Sequence, residues 1–204
     1  MGITIFAKGR IDDVEAIPPL IADVKQRAED NGWRFSILDD DFTEEPAATL
    51  NHGRIEGNLG LKGIAVQVDP GCETLDLCFD REGVLTNLVA QLLWLEDEDS
   101  VVAGRFTFVK TQFGRIESHV QIIELLDWLK ERYISNLEVT DEGGYWETRD
   151  RQLLAERRGA IEHYLDQTCG VLSTLEVSEE ERDDPAALAE KIARALEEKK
   201  PRLM

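Results

Sequence analysis

Apolar positions along this chain change period several times, and each change marks an element. Residues 2–7 (GITIFA) read as a short apolar strand. Val14, Ile17, Ile21, Val24 and Ala28 then recur at helical spacing and form one stripe. Pro18 and Pro19 fit only the first turn of a helix, so this helix is expected to begin near Ile17, after an irregular turn from Asp12, and to end at Gly32. WRFSILDDDF (33–42) alternates into a second strand that runs out into acid. Residues 43–60 have no sustained period and are interrupted by Pro46, Gly53, Gly57 and Gly60, which predicts a long loop.

LKGIAVQV (61–68) and ETLDLCF (73–79) read as strands joined by DPGC, with Pro70 and Gly71 at the centre of a type II turn. After the turn signal DREG (80–83), VLTNLVAQLLWL resumes an apolar run that is compatible with a strand passing into a short helix, a choice its periodicity does not settle. GRFTFVKTQF (104–113) alternates clearly and is expected to be a central strand. RIESHVQIIELLDWLKERY (115–133) carries the strongest helical signal: Ile116, Val120, Ile123, Leu126 and Leu129 form its inner face, widened by Ile122 and Trp128. NLEVT (136–140) reads as the last strand. Beyond Gly143-Gly144, Leu154, Ile161, Thr168 and Leu175 recur every seven residues, joined by Tyr164, Leu165, Val171 and Leu172, which predicts a long helix from about Asp150 to Leu175. SEEERDD (178–184) is an acidic linker, and Pro185 opens a final helix with Leu188, Ile192 and Leu196 on one side.

This order of elements predicts an α+β fold: a mixed, mostly antiparallel sheet with two long helices on one face and a C-terminal helical extension. Residues 1–150 are expected to form the core domain. The helices of 151–204 either pack on that core or lie at a dimer interface.

Charge narrows the possible partners. The chain carries 42 acidic and 23 basic residues, a net charge of -19. Such a surface repels phosphate backbones and anionic lipid, so neither nucleic acid nor membrane is expected as a partner, whereas a basic protein surface fits. The N-terminus has no apolar signal core, no apolar run approaches the ~20 residues of a membrane span, and Phe6 breaks the myristoylation pattern. Cys72, Cys78 and Cys169 are odd in number and without CxxC spacing, as reduced thiols in the cytoplasm would be.

Candidate chemistry follows from topology. If strands 104–113 and 136–140 lie parallel in one sheet, linked by helix 115–133, their carboxyl ends share an edge. One end supplies Lys110, Thr111, Gln112 and Phe113; the other supplies Asp141, Glu142, Gly143, Gly144, Tyr145 and Trp146. Lys110 would pair with Asp141 or Glu142, the glycine pair would admit a ligand, Tyr145 or Trp146 would form an apolar wall, and Lys110 and the helix start at Gly114-Arg115 would hold an anionic group, with Gln112 a further ligand-binding candidate. A structural reading competes: the glycines shape a turn, Asp141 and Glu142 pair locally with Arg149 or Arg151, Thr148 or Asp150 caps the next helix, and Trp146 anchors it. By the same logic a first β-α-β unit would end in Lys8-Gly9-Arg10 and Asp39-Asp40-Asp41.

His119 lies on or beside the buried face of its helix, as either a satisfied core histidine or a catalytic one. His52 sits in a loop without a partner at any telling spacing, and His163 is on a charged helix. No HExxH, GxSxG, Walker A or GxGxxG motif is present. No cofactor is identifiable; Asp141, Glu142 and Glu147, or the acidic runs at 39–41 and 96–99, would admit a divalent cation. Three functions therefore stand open. The first is a soluble acidic binding protein without catalysis. The second is a metal-dependent hydrolase or phosphoryl-transfer enzyme at the 110–114/141–147 strand ends. The third is a structural subunit that forms a homodimer through its C-terminal helices.

Overall fold

The β strands of this protein divide into sheets that meet at their corners. The structure, a computed structural model, describes residues 2–96, 105–175, 177–178 and 184–198. The acidic stretches at 97–99 and 179–183 lie outside the described residues, as do the side chains of Val171 and Leu196. In chain order the elements are β1 (Thr4–Lys8), a 3-10 turn (Val14–Ala16), α1 (Ile17–Asn31), β2 (Arg34–Asp39), β3 (Ala47–Asn51), β4 (Arg54–Asn58), β5 (Lys62–Gln67), β6 (Leu75–Phe79), β7 (Leu85–Thr86), α2 (Leu88–Glu96), β8 (Thr107–Lys110), α3 (Ile116–Arg132), β9 (Glu138–Asp141), α4 (Tyr145–Thr148), α5 (Arg151–Ser173) and α6 (Pro185–Glu198). The class is α+β, and every strand pair among the described residues is antiparallel.

The first sheet has the order β8-β1-β9 and the second β2-β5-β6-β7. They join where the chain after β1 bridges to β7, with Leu85 N–H donating to Gly9 O at 3.0 Å, and where Glu73 N–H donates to Lys110 O at 2.9 Å. β1, not the 104–113 strand, is therefore central in its sheet. The alternation there reflects one buried face, Thr107 and Val109, on a strand at the sheet's edge. The expected first β-α-β unit is also not a unit of one sheet, because β1 and β2 belong to different sheets.

α1 follows the sequence pattern closely. Both prolines sit in its first turn, and Gly32 at φ 67 closes it while its N–H donates to the carbonyls of Ala28 and Glu29. Its buried residues are Ile17, Leu20, Val24 and Ala28. Each of the larger ones contributes ~1.5–3 kcal/mol by leaving water. α3 buries a broader face that includes His119 and Ser118. The two helices are tied side by side: Tyr133 donates to Asp23 at 2.7 Å, Arg132 pairs with the same carboxylate at 3.3 Å, and the Arg27 guanidinium lies 4.1 Å from the centre of the Trp128 ring. β6 is buried along its whole length because β5 and β7 flank it and both its faces are covered.

Residues 43–60 are not a loop but contain the β3–β4 hairpin, paired from Ala47↔Asn58 to Asn51↔Arg54. Its two-residue turn puts His52 at φ 47 and Gly53 at φ 77, the left-handed pair of a type I′ turn. The DPGC turn also differs from expectation. Cys72 N–H donates to Asp69 O at 2.9 Å, but Gly71 is not among the positive-φ glycines, which rules out type II. Gly71 serves close packing instead: a Cβ there would stand 2.2 Å from Phe113 O.

The chain falls into two compact units, 1–155 and 156–204, and α5 runs across the division. In the second unit α5 leaves Tyr164 and Leu172 exposed, and on α6 Leu188 and Ile192 are half-buried. No helix among the described residues is long and apolar enough to cross a membrane.

Candidate functional site

β8 and β9 run in the same direction, since each is antiparallel to β1, but β1 lies between them. Their carboxyl ends do share one rim, and α3 closes the gap. His119, in its first turns, places Nδ1 2.8 Å from Thr111 Oγ1 just past β8 and Nε2 3.1 Å from Asp141 Oδ2 at the end of β9. A carboxylate only accepts, so Nε2–H donates to Asp141. With the ring neutral, Nδ1 then accepts the Thr111 hydroxyl.

Asp141 organises the segment that follows. Oδ1 accepts the N–H of Gly143 at 2.7 Å; Oδ2 accepts those of Tyr145 at 2.7 Å and Trp146 at 3.0 Å besides His119. Burial pushes the Asp141 carboxyl up, but His119 and the N–H groups of Trp146 and Gly143 more than offset this and hold it below the usual carboxylate range. Gly144 takes φ 73 ahead of α4, as the glycine pair foretold. Gly143 is required by packing: a Cβ would lie 2.6 Å from Leu154 Cδ1 and 3.0 Å from His119 Cε1. Asp150 Oδ1 caps α5 by accepting the N–H groups of Gln152 and Leu153.

The remaining sequence candidates divide between interior and surface. Gln112 is buried and accepts the N–H of Ile3 through Oε1 at 3.1 Å, while its Nε2 has no partner. Lys110 does not reach Asp141, which is interior; its ammonium lies 5.9 Å from the Phe113 ring centre, and Gly2 packs against its stem. Glu142 is exposed and accepts the N–H of Thr4 at 2.9 Å; Glu147 is exposed on α4. Tyr145 is buried edge-on to His119, and half-buried Trp146 sits near Arg149 (4.9 Å) and Lys130 (5.8 Å). Arg149 pairs with Asp127 at 2.8 Å rather than with Asp141. The metal set of Asp141, Glu142 and Glu147 is not assembled. The Asp141 oxygens are committed to four donors, and no cluster of three potential ligands occurs among the described residues. The aspartates at 39–41 have local tasks too: Asp39 pairs with Lys62, Asp40 accepts the N–H groups of Leu59 and Leu61, and Asp41 binds Thr43.

Arg115, though largely exposed, is tied to the fold through its Nε. Its Nε donates to Asp69 Oδ2 at 2.8 Å, and Ser118 Oγ donates to the same oxygen at 2.9 Å. Arg115, the Gly71 N–H and Ser118 hold the Asp69 carboxyl at about 2. This junction docks the DPGC turn on the start of α3. Sequence spacing gave no sign of it, because Asp69 and Ser118 are 49 residues apart.

A hydroxyl, an imidazole and a carboxylate in series is the connectivity that activates an alcohol nucleophile. Here Thr111 and His119 are each 2% exposed, so no substrate carbonyl or phosphorus can approach the hydroxyl. What the series does is tie β8, α3 and β9 together. No family model, curated protein or solved structure matches the chain.

Proposed function

We propose that this is an acidic binding protein that acts without catalysis by covering a basic protein surface. One observation carries the reading: the chain's excess of carboxylates is displayed outward. Asp69, Asp76 and Asp141 are the buried acids among the described residues, and no lysine or arginine is buried there. With a net charge of -19, the surface field draws a basic partner into encounter and turns away nucleic acid and anionic lipid. The commitment of His119 and Asp141 to internal bonds adds support, since the best candidate for a reactive centre serves the fold. A cytoplasmic setting suits Cys72, Cys78 and Cys169 as free thiols. The test is a pull-down with the full chain at low and high salt. A basic protein retained at low salt and released at high salt is expected; recovery of no partner at either salt refutes the proposal.

A second reading, self-association through the C-terminal helices, draws on exposed Tyr164 and Leu172 along α5. Light scattering on the full chain and on a chain ending near Ser178 decides it. A dimer that becomes a monomer on truncation supports the reading, and a monomer in both ends it.

A further inference from the structure

A cavity of about 380 Å³ lies in the first unit, and none of the residues of the His119 rim lines it. It opens between the segment leading into β3, the β6–β7 turn and the face of α2. Gly60, Thr86 and Ala90, all buried, form its inner wall. Gly60 approaches Pro46 closely, so that a Cβ would stand 2.6 Å from the proline ring. Gln91 is fixed at the wall by donating to Leu59 O at 3.0 Å.

Around the mouth, each of two guanidinium groups meets a neighbouring carboxylate at long range. Arg81 faces Glu45 fork to fork, at 3.4 Å and 3.3 Å, and Arg105 meets Glu82 at 3.4 Å. The Glu45 side chain is 90% exposed. Stretched, solvated pairs of this kind contribute little and exchange readily. A ligand carboxylate would bind either fork at the ~2.8 Å of a good bidentate contact. Asp80 also lines the cavity, so carboxylates outnumber guanidiniums there. A bare anion would meet excess negative charge, and a bare cation would leave both forks without gain. A molecule carrying both charges satisfies both sets.

We infer that this cavity binds a small zwitterion of the α-amino acid or dipeptide class, its carboxylate on Arg81 or Arg105 and its ammonium among Glu45, Asp80 and Glu82. The volume is at the lower end of the ~300–1,000 Å³ of small-molecule sites, which suits a ligand of that size. The site is independent of any protein partner.

The experiment is calorimetric titration of the full chain with pools of the standard L-amino acids and of their dipeptides, and with acetate and putrescine as probes of one charge type each. Saturable binding from at least one pool, absent with acetate and putrescine, is expected. Arg81→Gln or Arg105→Gln should weaken it by roughly tenfold or more, the loss of one charge-assisted pair. Circular dichroism checks that each variant is folded; both positions are at the surface, and either variant suffices. Three outcomes overturn the inference: no pool binds, acetate or putrescine binds as well as the amino acid, or both variants bind like the parent chain.

Discussion

Replacing Asp141 with alanine strands four donors at once: the N–H groups of Gly143, Tyr145 and Trp146 and the His119 Nε2–H. A hydrogen bond to an ionised acceptor is worth ~1.5–3 kcal/mol, and a buried donor left alone costs ~1–3 kcal/mol. The four losses do not add, because Trp146 is only half-buried and a frayed α4 gives its N–H to water. With that discount, stranding the other three buried donors is expected to cost ~3–5 kcal/mol in all. That is a large part of the ~5–15 kcal/mol that holds a domain together. Glu142→Ala is the control, one residue along and exposed, its carboxylate accepting the Thr4 N–H at the surface, and should cost no more than ~0.5–1 kcal/mol. Urea unfolding followed by circular dichroism measures both. With a slope of ~2 kcal/mol per molar, the Asp141→Ala midpoint should fall by ~2 M at unchanged slope. The pH dependence has a definite sign. The Asp141 carboxyl is depressed in the fold, so its contribution is full above the unfolded value of ~3.9 and is lost as pH falls through the folded value. The gap between the parent chain and Asp141→Asn should therefore narrow as the solution is acidified below ~pH 4. A midpoint for Asp141→Ala within ~1 kcal/mol of the parent, or equal to that of Glu142→Ala, would refute the assignment of Asp141 as the organiser of the turn.

Three further outcomes are expected. Burial raises the Asp76 carboxyl despite the Leu88 N–H, so the charged form weakens the fold as pH rises above the unfolded value of ~3.9; Asp76→Asn should raise the thermal midpoint at neutral pH and lose that gain below ~pH 4. Gly143→Ala pushes a methyl group to 2.6 Å from Leu154 and 3.0 Å from Asp141 Oδ1, and should cost ~1–3 kcal/mol in urea unfolding; a neutral result would mean the α4 turn yields more easily than its packing implies. His52→Asn at the hairpin tip exchanges a strained left-handed residue for one that tolerates φ 47, and should gain up to ~0.5 kcal/mol by thermal melting, with any loss counting against the type I′ assignment.

Elements written in a local period could be read directly from the sequence. The α1 stripe with its leading prolines and closing Gly32 and the broad face of α3 each depend on neighbours within a few residues, whereas the period at 84–95 did not settle where strand gives way to helix. The β3–β4 hairpin escaped because both its strands are largely exposed, so no apolar alternation marks them; the Asn51-His52-Gly53 turn was the only local trace. Strand order was out of reach. Placing β1 between β8 and β9 depends on partners more than 100 residues away, and that placement left His119, rather than direct strand contact, to join Thr111 to Asp141. The sequence alone determined which residues follow each of these two strands, because the local period marks where a strand ends. That the carboxylate of Asp141 is buried and gathers four internal donors was decided only in three dimensions, because one of them, His119, reaches it from a different element.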